Sequence, residues 1–237
     1  MRLSVLALSL ALVAPALAAE PAASPNPRGF TAKDLVMLDR VSAPQFSPDG
    51  GRILYALRET NWEADRGVGS LWVTDASGGH GTRLTPADLP ASAGAWSPDG
   101  AFVYFLSAKS GSMQVWRVPA GGGDATQVTA YPLDVGSFRL APDGQAIAVS
   151  FEVFADCATL ACTAERHAAN ANDKRTGVQY DRIFVRHWDT WKDGTRSQVF
   201  LGALGDDGKA TGEPRLLTTA IDGDVPGKPF ADQSDYV

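Results

Sequence analysis

Short apolar runs recur along this chain, separated by clusters of Gly, Pro, Ser and Asp. Ile53 to Leu57 follows Ser47-Pro48-Asp49-Gly50, Phe102 to Leu106 follows Ser97-Pro98-Asp99-Gly100, and Ile147 to Val149 follows Ala141-Pro142-Asp143-Gly144. An apolar residue precedes each tetrapeptide: Phe46, Trp96 and Leu140. Runs of about five residues bounded by such clusters read as β-strands. The tetrapeptide itself is turn chemistry. Proline presets φ, aspartate accepts from amides ahead of it, and glycine takes positive φ without a Cβ clash.

A second hairpin follows each of these. Leu71-Trp72-Val73 precedes Ser77-Gly78-Gly79 and Thr82-Arg83-Leu84-Thr85. Gln114 to Val118 precedes Gly121-Gly122-Gly123 and Gln127-Val128-Thr129, and Val199-Phe200-Leu201 precedes Gly205 to Gly208 and Arg215-Leu216-Leu217-Thr218. The tetrapeptides stand at offsets of 50 and 44 residues. Four strands in a repeat of about 40–50 residues make one propeller blade. A sandwich of meandering strands needs no such fixed interval. The pattern therefore predicts an all-β chain, a β-propeller of four-stranded blades over 41–86, 92–130 and 135–219. An insertion, 155–196, falls in the third blade. Residues 220–237 read as the start of a fourth, so the expectation is an incomplete propeller and a fragment of a longer product, since about three blades cannot close a ring and protect their strand edges.

The N-terminus breaks the pattern. Arg2, the uncharged run Leu3 to Val13 and the small-residue site Ala16-Leu17-Ala18 read as a cleavable signal peptide over 1–19, too short to span a membrane. Residues 20–29 then form an extended, Pro-rich leader, and Thr31-x-x-Asp34 before Leu35 reads as the start of a short helix. Export predicts a periplasmic or secreted protein with no membrane span after cleavage. Composition agrees with a folded soluble domain: 44% hydrophobic and 20% charged residues, with a net charge of -6. That sign offers no basic footprint for nucleic acid, which excludes this class of partner.

Cys157 and Cys162 lie in the insertion. In an oxidising compartment such a pair can close a small disulfide loop. Metal binding with His167 and His187 is the alternative, but the spacing lacks the tight repeated pairs of zinc sites. A polar stretch, Thr163 to Gly177, comes next. Tyr180 to Trp191 follows, and Asp193-Gly194 signals another hairpin leading into Ser197 to Leu204.

Phe30-Thr31-Ala32-Lys33-Asp34-Leu35, the Pro-Asp-Gly blades and above all Val185-Arg186-His187-Trp188-Asp189-Thr190-Trp191 resemble the prolyl oligopeptidase family of serine peptidases, in its secreted dipeptidyl-peptidase V / acylaminoacyl-peptidase branch. The resemblance covers Phe30 to Val237. It implies an N-terminal propeller that gates access to a C-terminal α/β-hydrolase domain, acts on short peptides and needs no cofactor. The hydrolase would carry a serine on a G-x-S-x-G elbow, then Asp and His. No serine here has glycine at both flanking positions, and His80, His167 and His187 form no set with a serine and an acid. No catalytic residue is therefore expected in this chain, nor a metal site, and it should be inactive alone.

In related dipeptidyl peptidases, propeller carboxylates hold the peptide's free amino terminus, which fixes the cut by positioning. The resemblance makes Glu152, Arg186 and Asp189 the substrate-binding candidates. Arg186 and Asp189 would equally serve as an internal ion pair ordering a hairpin, with Trp188 and Trp191 packed beneath it. The competing expectation for the whole chain is a non-enzymatic, TolB-like periplasmic propeller that binds proteins. A carbohydrate-binding propeller rests only on exposed tryptophans such as Trp62.

Overall fold

The computed structural model describes residues 28–180, 186–188, 190–219, 221–228 and 232–236. The expected signal peptide, most of the leader and Asp189 lie outside the described residues. The first element is helix α1 (Ala32–Met37). Thr31 caps it: its Oγ1 accepts the Asp34 N–H at 3.2 Å, and Asp34 Oδ2 accepts the Thr31 N–H at 2.8 Å. The reciprocal pair satisfies two amides that a helix start leaves without partners.

Three antiparallel four-stranded sheets follow, each a meander. The first holds β1 (Arg40–Phe46), β2 (Arg52–Asn61), β3 (Arg66–Asp75) and β4 (Thr82–Arg83). The second holds β5 (Ser92–Trp96), β6 (Phe102–Ser107), β7 (Gln114–Pro119) and β8 (Thr126–Gln127). The third joins β9 (Phe138–Leu140) and β10 (Ala146–Phe154) to β13 (Thr195–Leu204) and β14 (Ala210–Leu216). Between β10 and β13 come helix α2 (Leu160–Ala171) and a two-stranded ribbon of β11 (Arg186–His187) and β12 (Thr190–Trp191). The sheets are propeller blades, and the architecture is all-β with little helix.

The Pro-Asp-Gly turns join the first two strands of each blade. Gly50, Gly100 and Gly144 sit at φ +74°, +70° and +71°, where a Cβ would be strained. In the first turn Ser47 Oγ donates to Asp49 Oδ1 at 2.5 Å and accepts the Arg52 N–H at 2.9 Å, while Asp49 Oδ1 also accepts the Gly51 N–H at 3.0 Å. Ser97 and Asp99 repeat this at 2.6, 2.9 and 3.0 Å. The serine hydroxyl first, then the backbone amide, holds the Asp49 and Asp99 carboxyls below their ordinary range.

The core lies between blades. Leu54, Leu71 and Val73 of the first pack on Val103, Phe105 and Val118 of the second. The opposite face of the second, with Tyr104, Leu106 and Val115, packs on Ile147, Val149, Phe151 and Val153 of the third. Strand alternation gives each central strand one face for either neighbour. Polar bonds fix the stacking: Gln45 Nε2 donates to Gly94 O at 2.7 Å, and Arg52 reaches Gly100 O at 3.1 Å with its guanidinium over the Trp96 ring.

The insertion differs from its reading in sequence. Much of the expected polar stretch is α2, capped by Thr159 Oγ1 on the Cys162 N–H at 3.2 Å. Leu160 and Thr163, one turn apart, are its buried residues, and Thr163 Oγ1 accepts the Phe154 N–H at 3.3 Å. A disulfide joins Cys157, ahead of the helix, to Cys162 in its first turn. Asp193-Gly194 does not join two paired strands, because β12 pairs back to β11 instead. Asp193 Oδ1 accepts the Thr195 N–H at 2.9 Å and its hydroxyl at 2.6 Å, which turns the chain into β13.

Candidate functional site

A cavity of about 1030 Å³ opens where the first strands of the blades meet the β11–β12 ribbon and residues 224–228 and 232–233. Two backbone irregularities shape one wall. The pairing of β1 with β2 shifts between Ser42 and Gln45, and that of β5 with β6 between Ser92 and Ala95. Within these bulges Ala43 and Ala93 take φ +49° and +52°, unusual for alanine. Both line the cavity. The repeat of the outlier at the same blade position makes it a feature of the fold.

The wall is acidic. Asp134, Glu152, Asp193, Asp224 and Asp232 line it against Lys192 and Lys228. Asp134 and Asp224 occupy equivalent places in the connections that leave successive blades. Asp134 Oδ1 accepts the Met113 N–H at 2.8 Å and Asp224 Oδ1 the Ser197 N–H at 2.9 Å. The next residues repeat each other too: Val135 N–H donates to Met113 O and Val225 N–H to Ser197 O, both at 2.8 Å.

Burial pushes the Asp193 and Asp224 carboxyls up, but their donors win. Thr195 hydroxyl and amide hold Asp193 below its usual value; the Ser197 amide and Lys192, at 3.0 Å, do the same for Asp224. The Ser234 amide and hydroxyl likewise hold Asp232 low. These groups are anionic at neutral pH, so the cavity attracts cations and repels anions.

Of the expected binding residues, Glu152 lines the cavity, paired with Lys228 and 3.4 Å from Thr195 Oγ1. Arg186 stands off the wall with its guanidinium 5.3 Å from the Trp191 ring centroid. Trp188 and Trp191 are not packed beneath the ribbon: they are 66% and 57% exposed, and both line the cavity. The ribbon is too short to cover them. Sequence reasoning missed Asp134, Asp193, Asp224 and Asp232; the recurring Asp-Val at 134–135 and 224–225 was the available signal.

Ser137, which lines the cavity with Ser150, has its Oγ 2.8 Å from both Ser150 Oγ and the Tyr236 hydroxyl. Burial raises the Tyr236 phenol, against the bond to Ser137. These hydroxyls bond one another, and no histidine lines the cavity among the described residues. Nor is any group of three or more His, Cys, Asp or Glu there placed to hold a metal ion.

Known proteins share this architecture. Over 82 residues the chain is 31% identical to a protein of Bacillus subtilis (strain 168) named as an uncharacterised peptidase, YuxL, spanning 35% of this chain and 12% of that one. Acylaminoacyl peptidase from Pyrococcus horikoshii superposes with a TM-score of 0.56 at 13% identity, covering 78% of this chain and 26% of the peptidase. The AtxE2 isopeptidase gives 0.54 at 18% identity, covering 80% and 32%. The chain thus spans about an eighth of its curated relative and a quarter to a third of these solved chains. The family described as the TolB beta propeller domain, PD40, matches residues 36–159, from the end of α1 past β10, and this chain belongs to it.

Proposed function

We propose that the chain is the propeller portion of a secreted or periplasmic serine exopeptidase, in which it gates access and holds the amino terminus of short peptides. The acidic cavity carries this reading. A peptide ammonium set among Asp134, Glu152 and Asp193 gains charge-assisted hydrogen bonds, and these fix how far into the peptide the scissile bond lies. Dipeptide release would follow, with the bond cut by an α/β-hydrolase domain outside this sequence. The similarity to a peptidase over 82 residues supports this parent. The family match by itself accommodates a non-enzymatic propeller that binds proteins equally well.

Calorimetric titration of the chain with Ala-Ala-amide and with its N-acetylated form separates the two. The free-amine peptide is expected to bind about tenfold tighter or more, the equivalent of one good charge-assisted bond. Equal affinity for both, or binding of neither, defeats the amine-holding role. In a version that carries a hydrolase domain, Glu152→Gln and Asp189→Asn should each slow dipeptide release; unchanged release with either would exclude that residue as the anchor. Fractionation of cells making the chain tests export.

A further inference from the structure

The ribbon that carries Trp188 is built to present an indole at the acidic cavity. Trp188 takes φ +50° at the first position of the two-residue turn between β11 and β12. A bulky side chain is costly in that region and persists only where its surroundings hold it. The residue is 66% exposed and lines the cavity wall. Trp191, also on the wall, is held by two neighbours: Tyr180 stacks at 5.9 Å and an interplanar angle of 25°, and the Arg186 guanidinium lies over the ring. Beyond it, the Lys192–Asp224 pair at 3.0 Å ties the ribbon's end to the acidic wall. Two large apolar rings and a row of carboxylates therefore face one space.

We infer that this wall also reads a side chain: Trp188, with Trp191 beside it, takes a large apolar or aromatic side chain of a short peptide whose ammonium lies on the carboxylates. The inference rests on the amine-holding role and adds the substrate class. Charge chooses the occupant. Five acids against two lysines disfavour an anionic ligand. A neutral sugar would use the tryptophans and bring no cation to Asp134, Asp193 and Asp232, which the two lysines leave in excess.

The test uses the chain with three probes of one backbone and a sugar, followed by calorimetry and by tryptophan emission. Ala-Phe-amide should bind about tenfold tighter than Ala-Ala-amide, the return expected from one aromatic contact with apolar burial. Trp188→Ala should bring that ratio to within about twofold, while Trp188→Phe keeps most of it. N-acetyl-Ala-Phe-amide should bind weakly throughout. Equal affinity of the two free-amine peptides overturns the side-chain reading while the amine role stands. A ratio that survives Trp188→Ala overturns it also. Failure of every free-amine peptide to bind overturns both, and tight binding of maltose with none of these peptides assigns the rings to sugar instead.

Discussion

Thr129 closes a buried circuit with Gln114: its Oγ1 donates to Gln114 Oε1 at 2.8 Å while accepting the N–H of Val115 at 2.9 Å. Gln114 Nε2 then reaches Tyr131 O and Leu133 O at 3.1 and 3.0 Å, so one amide side chain fixes the exit from the blade. Thr218 and Gln198 repeat the circuit in the third blade. Thr85 accepts the Leu71 N–H at 3.0 Å in the first, where Ser70 stands in place of the glutamine. The threonine that follows each blade's last strand by two residues is thus a latch on the strand beside it. Thr129→Val keeps the shape but strands the buried Val115 N–H and leaves Gln114 Oε1 with the Tyr131 N–H alone, at 3.1 Å. It should cost about 1–3 kcal/mol, read from urea unfolding, while Thr129→Ser should retain most of the stability.

Ala43 offers a gain in stability. Its φ of +49° costs an L-residue about 1–2 kcal/mol relative to glycine, and glycine's extra unfolded-state freedom returns part of this. Its side chain is exposed, so little packing is lost. Ala43→Gly should stabilise by about 0.5–1 kcal/mol, and Ala43→Val should destabilise, since a branched Cβ tolerates this region worst. A thermal melt of the three proteins orders them; a glycine variant that melts lower refutes the account.

Asp224 makes stability depend on acid. Its folded carboxyl titrates below the unfolded value of about 3.9, so its contribution is complete above that pH and is lost as pH falls through the folded value. Asp224→Asn should cost about 1–2 kcal/mol at pH 7, through the lost Lys192 pair and a weaker bond to Ser197 N–H. Its denaturation midpoint should fall less steeply than wild type between pH 5 and pH 2, so the two curves converge in acid. Parallel curves would show that the Asp224 charge contributes nothing.

The blades were legible because their signals are local and repeated. Pro-Asp-Gly carries its own turn geometry, and three copies at similar intervals set the phase of every strand around them. Helix α2 was not legible. Its two buried residues, Leu160 and Thr163, are one apolar and one polar, which leaves no hydrophobic stripe; Thr159 as a cap and the alanines after it were its only marks. The cavity was legible in part. Glu152 could be singled out beside the insertion, whereas Asp134, Asp193, Asp224 and Asp232 lie far apart in sequence and converge only when the blades stack. The exposure of Trp188 and Trp191 depends on how little backbone the β11–β12 ribbon has to cover them.

The third turn lacks what its two predecessors share. Ala141 N–H donates to Ala146 O, Gly144 N–H to Ala141 O, and Gln145 N–H to Asp143 Oδ1, all at 2.9 Å, so the backbone frame matches the turns at Ser47 and Ser97. The hydroxyl is missing, and with it the bond that Ser47 and Ser97 each give their aspartate and the one each takes from the strand amide ahead. Ala141 is half-buried, with its neighbours already placed to receive an oxygen. Ala141→Ser should therefore add about 1 kcal/mol. In a chain of this size that raises the melting temperature by about 2–4 °C. Ser97→Ala, the reverse change, should lower it by at least as much, because it leaves the Phe102 amide without its serine partner. If Ala141→Ser gives no gain while Ser97→Ala destabilises, the third turn differs from the others in more than its hydroxyl.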